Sequence, residues 1–264
     1  MNCKHLALAS ALALAACANP PTTALAPVRV ILVGDSTLAP ANGYGDALCQ
    51  HFRPQVTCVN LAKNGRSSGS YRAEGSWSKV QTLLADRGVY RSTYVLIEFG
   101  HNDQPGKPGR STDLLTEYPA NLGHYVADVR AAGGTPVLVT PLTRRNFRGG
   151  VLVNDLQPWA DTTRAVAKAQ QVVLIDLLSA SAAAVQAMGS AEADTLAVEP
   201  PPSTGQQTPA DLNRVENTSA AKSAFDHTHV GPEGARFFAA MVSHLLSAGV
   251  PELAAYLRNE ESST

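Results

Sequence analysis

Short, almost continuously apolar segments rich in β-branched residues recur along the chain and alternate with segments of mixed polarity. These segments are 28–34 (VRVILVG), 55–62 (QVTCVNLA), 93–100 (TYVLIEFG), 135–142 (TPVLVTPL) and 172–178 (VVLIDLL). Strands that are covered by helices on both faces are apolar throughout, whereas half-exposed strands alternate between apolar and polar residues. The pattern therefore predicts five buried parallel strands.

The segments between and after these strands have the mixed polarity of surface helices. The predicted helices are 43–52, 77–88, 113–134, 155–170 and 232–249. Segment 113–134 ends in a Gly pair, and segment 232–249 begins with Pro and ends with Gly, which are common helix boundary signals. Alternating strands and helices predict a three-layer α/β/α sandwich with right-handed crossovers.

The N-terminal segment has the features of an export signal. Residues 6–16 form an apolar run that is too short to span a bilayer, so we interpret residues 1–16 as a signal peptide. The run ends in LAAC, which resembles the lipobox of bacterial lipoproteins and implies cleavage before a lipidated Cys17. The alternative is an A-x-A site at 16–18 that releases a soluble protein into the periplasm or medium. Residues 17–27, rich in Pro, Thr and Ala, are expected to be a tether.

The rest of the chain is long enough for one domain, which we place at 28–258 with a tail at 259–264. Residues 190–222 are polar and Pro-rich and are expected to form a long loop. The formal net charge is −1 and no basic run is present, which argues against a nucleic-acid partner. The only membrane contact that we expect is the lipid anchor, and we expect a monomer.

Two cysteines remain in the predicted domain, Cys49 in the first helix and Cys58 in the second strand. An exported protein is exposed to oxidising conditions, so these two residues are candidates for a disulfide. Two buried free thiols are the alternative. In neither case do we expect a chemical role in the site.

Polar residues follow the first three predicted strands directly, at 34–37, 63–66 and 100–103, and a fourth polar group, DHTH, lies at 226–229. Ligands of open parallel sheets bind beyond the carboxyl ends of the strands. If strands one to three are neighbours, the first three turns face one another. The DHTH segment precedes the last helix and would complete the group.

These turns contain the residue types of a serine hydrolase. Ser36 lies where a strand turns towards a helix, and its hydroxyl becomes a nucleophile only if a base removes the proton. His229 is the candidate base, and Asp226 would fix its tautomer and stabilise the imidazolium. The backbone N–H groups of Ser36 and Gly65 and the side-chain amide of Asn102 are candidate donors to an oxyanion.

Two other interpretations compete with this one. GRSSG at 65–69 has the spacing of a nucleophile elbow centred on Ser67, but no helical pattern follows it directly, as that motif requires. His227 and His229 are candidates for metal ligands, although no H-E-x-x-H motif or Cys cluster accompanies them. We therefore predict a site without metal or other cofactor.

Several further residues receive supporting roles. Arg66 is either a structural or a substrate-contacting cation, and Tyr71 and Trp77 either stack on sugar rings or belong to the core. The remaining polar residues of the turns are given structural roles. We expect Asp35 to form the turn, His101 to pack against its neighbours and Asp103 to fix its loop through hydrogen bonds.

Taken in order, Gly34-Asp35-Ser36, Gly65, Gly100-His101-Asn102-Asp103 and Asp226-x-x-His229 resemble the four sequence blocks of the SGNH, or GDSL-type, hydrolases. Within that superfamily, AKNGRSSGSYRAEG, EFGHND and FDHTH resemble the rhamnogalacturonan acetylesterases of carbohydrate esterase family twelve. The resemblance implies a flavodoxin-like sheet and metal-free ester hydrolysis with Ser36 as the nucleophile. It also implies that the substrate is an acetylated polysaccharide, most directly the rhamnogalacturonan of pectin.

Other substrates and one other class of function remain open at this point. Acetylxylan, aryl esters and lipid esters are alternative substrates, although no long apolar stretch indicates an acyl-chain groove. A glycan-binding lipoprotein that retains the fold without turnover is the non-enzymatic alternative.

Overall fold

A five-stranded parallel sheet forms the centre of the computed structural model, which describes residues 25–199 and 225–258. The strands are β1 (Val28–Gly34), β2 (Val56–Asn60), β3 (Ser92–Glu98), β4 (Thr135–Val139), β5 (Phe147–Arg148), β6 (Val151–Leu152) and β7 (Val173–Ile175). The sheet has the order β2-β1-β3-β4-β7, and β5 and β6 form a separate antiparallel hairpin. This is the flavodoxin-like order, so the predicted fold class is confirmed.

Helices cover both faces of the sheet. They are α1 (Gly45–Gln50), α2 (Ser68–Ala73), α3 (Ser76–Ala85), α4 (Glu117–Ala131), α5 (Gln157–Ala169), α6 (Leu177–Asp194), α7 (Pro232–Gly249) and α8 (Pro251–Ala254). Along β1, Val30 and Leu32 pack into one hydrophobic cluster, whereas Ile31 and Val33 pack into another on the opposite face. This double burial explains why the strand sequences are apolar throughout.

Two helices that the sequence pattern did not predict change parts of the interpretation. Helix α2 begins inside the GRSSG segment, because Ser67 caps it by accepting a hydrogen bond from the backbone N–H of Ser70. Helix α6 extends to Asp194, so the predicted loop does not begin at residue 190. The sequence AEAD at 191–194 favours a helix through its alanines. Residues 200–222 of that predicted loop lie outside the described residues.

The first three described residues belong to the domain and not to a tether. Tyr256 donates its hydroxyl proton to the carbonyl of Ala26 at 2.8 Å, and Arg91 donates its backbone N–H to Pro27 at 2.8 Å. The prediction of a tether over 17–27 is therefore wrong for 25–27, because these backbone groups are fixed by hydrogen bonds. The predicted signal peptide, the lipidation site at Cys17 and the tail lie outside the described residues.

A disulfide joins Cys49 of α1 to Cys58 of β2, with their Cα atoms 5.4 Å apart. It ties the helix that follows the first turn of the site to the edge strand of the sheet. None of the helices in 25–199 and 225–258 combines the length and the apolar character that a membrane crossing requires.

Candidate active site

The turns after β1 and β2 meet the DHTH segment at the carboxyl edge of the sheet, because β2, β1 and β3 are neighbours. Together they enclose an open cavity of about 820 Å³. Its lining includes Ser36, Gly65, Arg66, Arg110 and His229. Residues that are almost two hundred positions apart in the sequence therefore share one solvent-accessible space.

Ser36 follows the last residues of β1 and is 5% exposed. The preceding Gly34 pairs with Glu98 of β3, and a Cβ atom at position 34 would lie 2.6 Å from the carbonyl oxygen of Glu98. Only glycine allows this close approach, which brings Ser36 to the sheet edge. Within the described part of the chain, the side chains of Ser36 and His229 form no hydrogen bond, although nucleophile–base contacts of free enzymes often tighten only around substrate.

Asp226 and His229 form a local acid–base pair. One carboxylate oxygen of Asp226 lies 2.8 Å from Nδ1 of His229, and the other accepts the backbone N–H groups of Thr228 at 2.8 Å and His229 at 3.0 Å. Burial alone would raise the pKa of Asp226, but the His229 imidazole and these N–H donors outweigh it and lower the pKa to about 2. The carboxylate therefore stays ionised and orients the ring.

Arg145 fixes the backbone that carries this pair, and the sequence analysis did not find it. Its side chain is fully buried, and Nη2 donates to the carbonyls of Asp226 at 2.9 Å and His229 at 2.8 Å. The backbone N–H of Arg145 also donates to His227 at 2.8 Å. Burial lowers the pKa of Arg145 to about 10, which still leaves it charged at neutral pH. A buried cation thus holds the segment in place.

Two of the expected oxyanion donors, Gly65 and Asn102, differ in their position relative to the cavity. Gly65 lines the cavity with φ +74°, in the left-handed region where a side chain is strained. Asn102 is 4% exposed and lies behind the wall, since among the described residues it is not part of the lining. Its amide donates to the carbonyl of Arg66 at 3.1 Å and accepts from Arg110 at 3.3 Å, which fixes its orientation.

The cavity wall carries two guanidinium groups in different electrostatic settings. Arg66 pairs with Glu74 at 2.7 Å, and its hydrogen bond is the main reason that the pKa of Glu74 falls to about 2. Arg110 donates to the neutral amide of Asn102 and, in the described part of the chain, has no carboxylate partner. Arg66 therefore has both a structural contact and a position on the wall, whereas no acidic side chain of the described residues compensates the charge of Arg110.

Tyr71 and Trp77 do not line the cavity, and their expected role in sugar stacking is wrong. Tyr71 is 1% exposed and donates to the carbonyl of Leu61, and Trp77 is 3% exposed and donates to Asp128. Both rings pack in the hydrophobic cluster that covers one face of the sheet. The helices that carry them turn these rings inward, which the sequence pattern did not reveal.

The competing candidates have other partners. Ser67 is fully buried and serves as the N-cap of α2, so its hydroxyl is engaged with Ser70. His227 Nδ1 lies 3.3 Å from Asp194, whereas His229 pairs with Asp226. Among the residues described, no group of three or more His, Cys, Asp or Glu side chains has a metal-binding arrangement.

The remaining polar residues of the turns support the loops around the site. Asp103 is fully buried and accepts hydrogen bonds from the backbone and hydroxyl of Ser68 and from Thr112, as expected. His101 is 2% exposed, and its Nδ1 lies 3.4 Å from Asp35. Asp35 accepts from the backbone N–H of Thr37 at 3.0 Å, which is the turn interaction that we expected of it.

Comparison with known proteins identifies the family of the chain from its sequence. A model of the GDSL-like lipase/acylhydrolase family matches residues 31–237. Rhamnogalacturonan acetylesterase RhgT of Bacillus subtilis is 31% identical over 241 residues, covering 88% of this chain and 94% of that protein.

Among solved structures, protein YXIM of Bacillus subtilis aligns with a TM-score of 0.63 at 19% identity. The alignment covers 84% of this chain and 57% of that protein. A catalytic mutant of Axe2, an acetylxylan esterase from Geobacillus stearothermophilus, aligns with a TM-score of 0.54 at 17% identity and covers 88% of this chain and 97% of that one. At these identities the two structures are evidence for the fold alone.

Proposed function

This chain belongs to the GDSL-like lipase/acylhydrolase family and is a carboxylic ester hydrolase, and we propose that it removes acetyl groups from rhamnogalacturonan. The observation that carries the proposal is that Ser36 and His229 line one cavity while Asp226 holds the far side of the imidazole. A Ser–His–Asp relay serves nucleophilic catalysis, whereas binding of a glycan alone has no need of it.

The reaction proceeds in two halves. His229 removes the proton of the Ser36 hydroxyl as the oxygen attacks the acetyl carbonyl, and the imidazolium then protonates the departing sugar oxygen. Water attacks the acetyl-enzyme with His229 again as base, which releases acetate and returns the proton to Ser36. Asp226 remains ionised throughout, keeps Nδ1 as the protonated nitrogen and stabilises the imidazolium.

The tetrahedral intermediate places negative charge on the former carbonyl oxygen. The backbone N–H groups of Ser36 and Gly65 and the side-chain amide of Asn102 are the donors that we assign to it. Asn102 uses one amide hydrogen for the carbonyl of Arg66, and its second hydrogen is the one available to the oxyanion. These donors are fixed before the reaction, so little reorganisation is required as the charge develops.

The charge of the cavity favours an acidic polysaccharide over a neutral one. A galacturonan carries one carboxylate on each uronic acid residue, whereas a xylan backbone is uncharged. Arg110 faces the cavity without a carboxylate partner among the described residues, and guanidinium is well suited to bind a carboxylate. RhgT, which aligns along nearly its entire length, is named for the same substrate.

Release of the carboxylic acid from three ester substrates tests the proposal. Purified protein is incubated with acetylated rhamnogalacturonan, acetylated xylan and a long-chain lipid ester, with the Ser36→Ala variant as the blank for each, and acetate is measured for the two polymers and fatty acid for the lipid ester. We expect Ser36-dependent release that is fastest from rhamnogalacturonan. Faster release from xylan would make acetylated xylan the preferred substrate. Binding of a polysaccharide without Ser36-dependent release from any of the three substrates would show that the protein is not an esterase.

We also propose that the protein is exported and anchored through a lipid on Cys17, on the evidence of the N-terminal sequence. Mass spectrometry of the mature N-terminus decides between the alternatives. A diacylglyceryl-modified cysteine supports the anchor, and an unmodified N-terminus after an A-x-A cleavage contradicts it.

A further inference from the structure

A group of buried polar side chains lies directly beneath the turn that carries Ser36. Asp35 and Thr37, which flank Ser36, are completely buried, and so is Glu98 at the end of β3. Tyr44, from the segment before α1, is 1% exposed. None of these four side chains lines the described cavity, so they are not part of the reacting surface.

Three contacts between oxygen atoms connect these side chains. The Thr37 hydroxyl lies 2.8 Å from Asp35 Oδ1 and 3.0 Å from Glu98 Oε1. The Tyr44 hydroxyl forms a short hydrogen bond with the other oxygen of Glu98. Each such contact requires one proton between the two oxygens. The two hydroxyl groups supply two protons, so a carboxyl group must supply the third.

Two arrangements satisfy all three contacts. In one, Glu98 carries the proton and donates it to Thr37, Thr37 donates to Asp35, and Tyr44 donates to Glu98. In the other, Asp35 carries the proton, and the Thr37 hydroxyl donates to Glu98. A proton on the Tyr44 side of Glu98 leaves one contact without a proton, and so does the absence of a third proton.

The surroundings favour the first arrangement. Asp35 accepts the Thr37 backbone N–H and faces the His101 imidazole at 3.4 Å. Burial alone would raise the pKa of Asp35, but His101 and the Thr37 donors outweigh it and lower the pKa below its usual range. Burial raises the pKa of Glu98 to about 8, and the charge of Asp35 adds to that rise.

We propose that Glu98 is a neutral carboxylic acid in the working enzyme and that the hydrogen bond it donates to Thr37, which in turn donates to Asp35, positions the turn that carries Ser36. Glu98 is thus a positioning residue, since it contacts no substrate and acts through the two neighbours of the nucleophile. This role rests on the proposed function of Ser36, whereas the protonation of Glu98 does not.

Loss of this proton would place two carboxylates against one hydroxyl. The groups that face Glu98 cannot replace the proton. Asp35 is an anion, Tyr44 and Thr37 already donate, and the Leu142 N–H at 3.2 Å brings no charge.

Tyr118 from α4 is also neutral, because burial raises its pKa well above the usual value. His101 faces Asp35 from the loop after β3, and burial lowers its pKa. Ionisation of Glu98 would therefore loosen the turn and displace the Ser36 N–H.

Infrared difference spectroscopy tests the protonation without any substrate. Wild-type protein and the variants Glu98→Gln and Asp35→Asn are titrated from mildly acidic to alkaline pH while the carbonyl stretch of protonated carboxylic acids is recorded. A wild-type band that is missing in Glu98→Gln and that disappears at lower pH in Asp35→Asn supports the proposal, because the charge of Asp35 contributes to the raised pKa of Glu98. Identical spectra for wild type and Glu98→Gln, or a band that Glu98→Gln keeps and Asp35→Asn lacks at every pH, would overturn it. Asp103, a second buried carboxyl whose pKa burial raises to about 7, contributes equally to wild type and Glu98→Gln and therefore cancels between these two spectra.

The pH profile of kcat/KM for a small acetyl ester tests the positioning role, with the exposed Glu233→Gln substitution as the control. We expect kcat/KM of wild type and control to fall as the pH rises through about 8. Glu98→Gln should stay within about tenfold of wild type at pH 7, as expected for one weakened neutral hydrogen bond, and should lack this fall. If Glu98→Gln fails to fold, Asp35→Asn serves, since removing the charge of Asp35 should move the fall to lower pH. If the infrared band depends on Glu98 but kcat/KM of these variants falls at alkaline pH as in wild type, Glu98 has no positioning role. The esterase assignment would be unaffected by that result.

Discussion

Asp226 Oδ2 lies 2.8 Å from His229 Nδ1, within a segment whose carbonyl groups are held by the buried Arg145. The contact is local, since the two residues are three positions apart, and two further sets of hydrogen bonds fix it. The Asp226 carboxylate accepts two backbone N–H groups, the guanidinium holds the carbonyls, and the imidazole completes the pair. The base is therefore oriented before any substrate binds.

The first prediction concerns the acid of this pair. In Asp226→Asn the amide no longer fixes the Nδ1–H tautomer of His229 or stabilises its positive charge, so kcat should fall by a factor on the order of 10⁴. Steady-state hydrolysis of a p-nitrophenyl ester measures it, with circular dichroism as the check on folding. If the variant folds and its kcat stays within about tenfold of wild type, Asp226 is not the acid of the relay.

The second prediction concerns the oxyanion. Asn102→Ala should lower kcat by about 10²–10³ and leave KM nearly unchanged, because the lost donor acts only on the transition state. The exposed Asn154→Ala substitution is the matched control and should leave both constants at wild-type values. A rise in KM at constant kcat would instead assign Asn102 to ground-state binding.

The third prediction concerns Arg110, the cation of the cavity wall for which the described ranges supply no carboxylate partner. Arg110→Gln should lower kcat/KM on acetylated rhamnogalacturonan by about 10–100-fold, the usual contribution of a charge-assisted hydrogen bond, and should have less effect on a neutral aryl acetate. Arg148→Gln, in the exposed hairpin, controls for the general loss of positive charge. Equal losses on the charged and the neutral substrate would mean that Arg110 acts by supporting Asn102 and not by binding a carboxylate.

The fourth prediction follows from linkage between protonation and folding. Glu98 has a reference pKa of 4.5 and a folded-state pKa of about 8, so between these values the folded protein binds more protons than the unfolded chain. The free energy of unfolding should therefore fall as the pH rises through this window, by about 1.4 kcal/mol per pH unit. Urea unfolding of wild type and Glu98→Gln at several pH values measures the difference. Parallel pH dependences would show that Glu98 is ionised in the folded protein.

Much of the fold could be predicted because its strands lie in a sheet that is covered on both faces. Such strands produce continuous apolar segments, and β1 occupies the predicted range 28–34 without change. Helices α2 and α6 lack a comparable signal. Helix α2 depends on a cap at Ser67 within a Gly- and Ser-rich segment, and α6 consists largely of the small residues Ala and Ser, so neither has an apolar stripe along one face.

The site was partly predictable for a different reason. Ser36, Gly65 and His229 follow strands or precede the last helix, and topology brings such positions together at the sheet edge. Arg145 is a charged side chain whose burial depends on partners far away in the sequence, and nothing in its local pattern indicates it. Glu98 lies in a predicted buried strand, but its partners Thr37 and Tyr44 are distant in the sequence. Tyr71 and Trp77 were misassigned because sequence alone does not show which face of a short helix turns towards the core.

Covalent labelling of the nucleophile tests the central claim most directly. A fluorophosphonate reacts with an activated serine, whose oxygen displaces fluoride while the neighbouring base takes the proton. Peptide mass spectrometry should locate the adduct on Ser36 in wild-type protein, and His229→Ala should react far more slowly. An adduct on Ser67, or labelling of Ser36 that is equally fast without His229, would contradict the account.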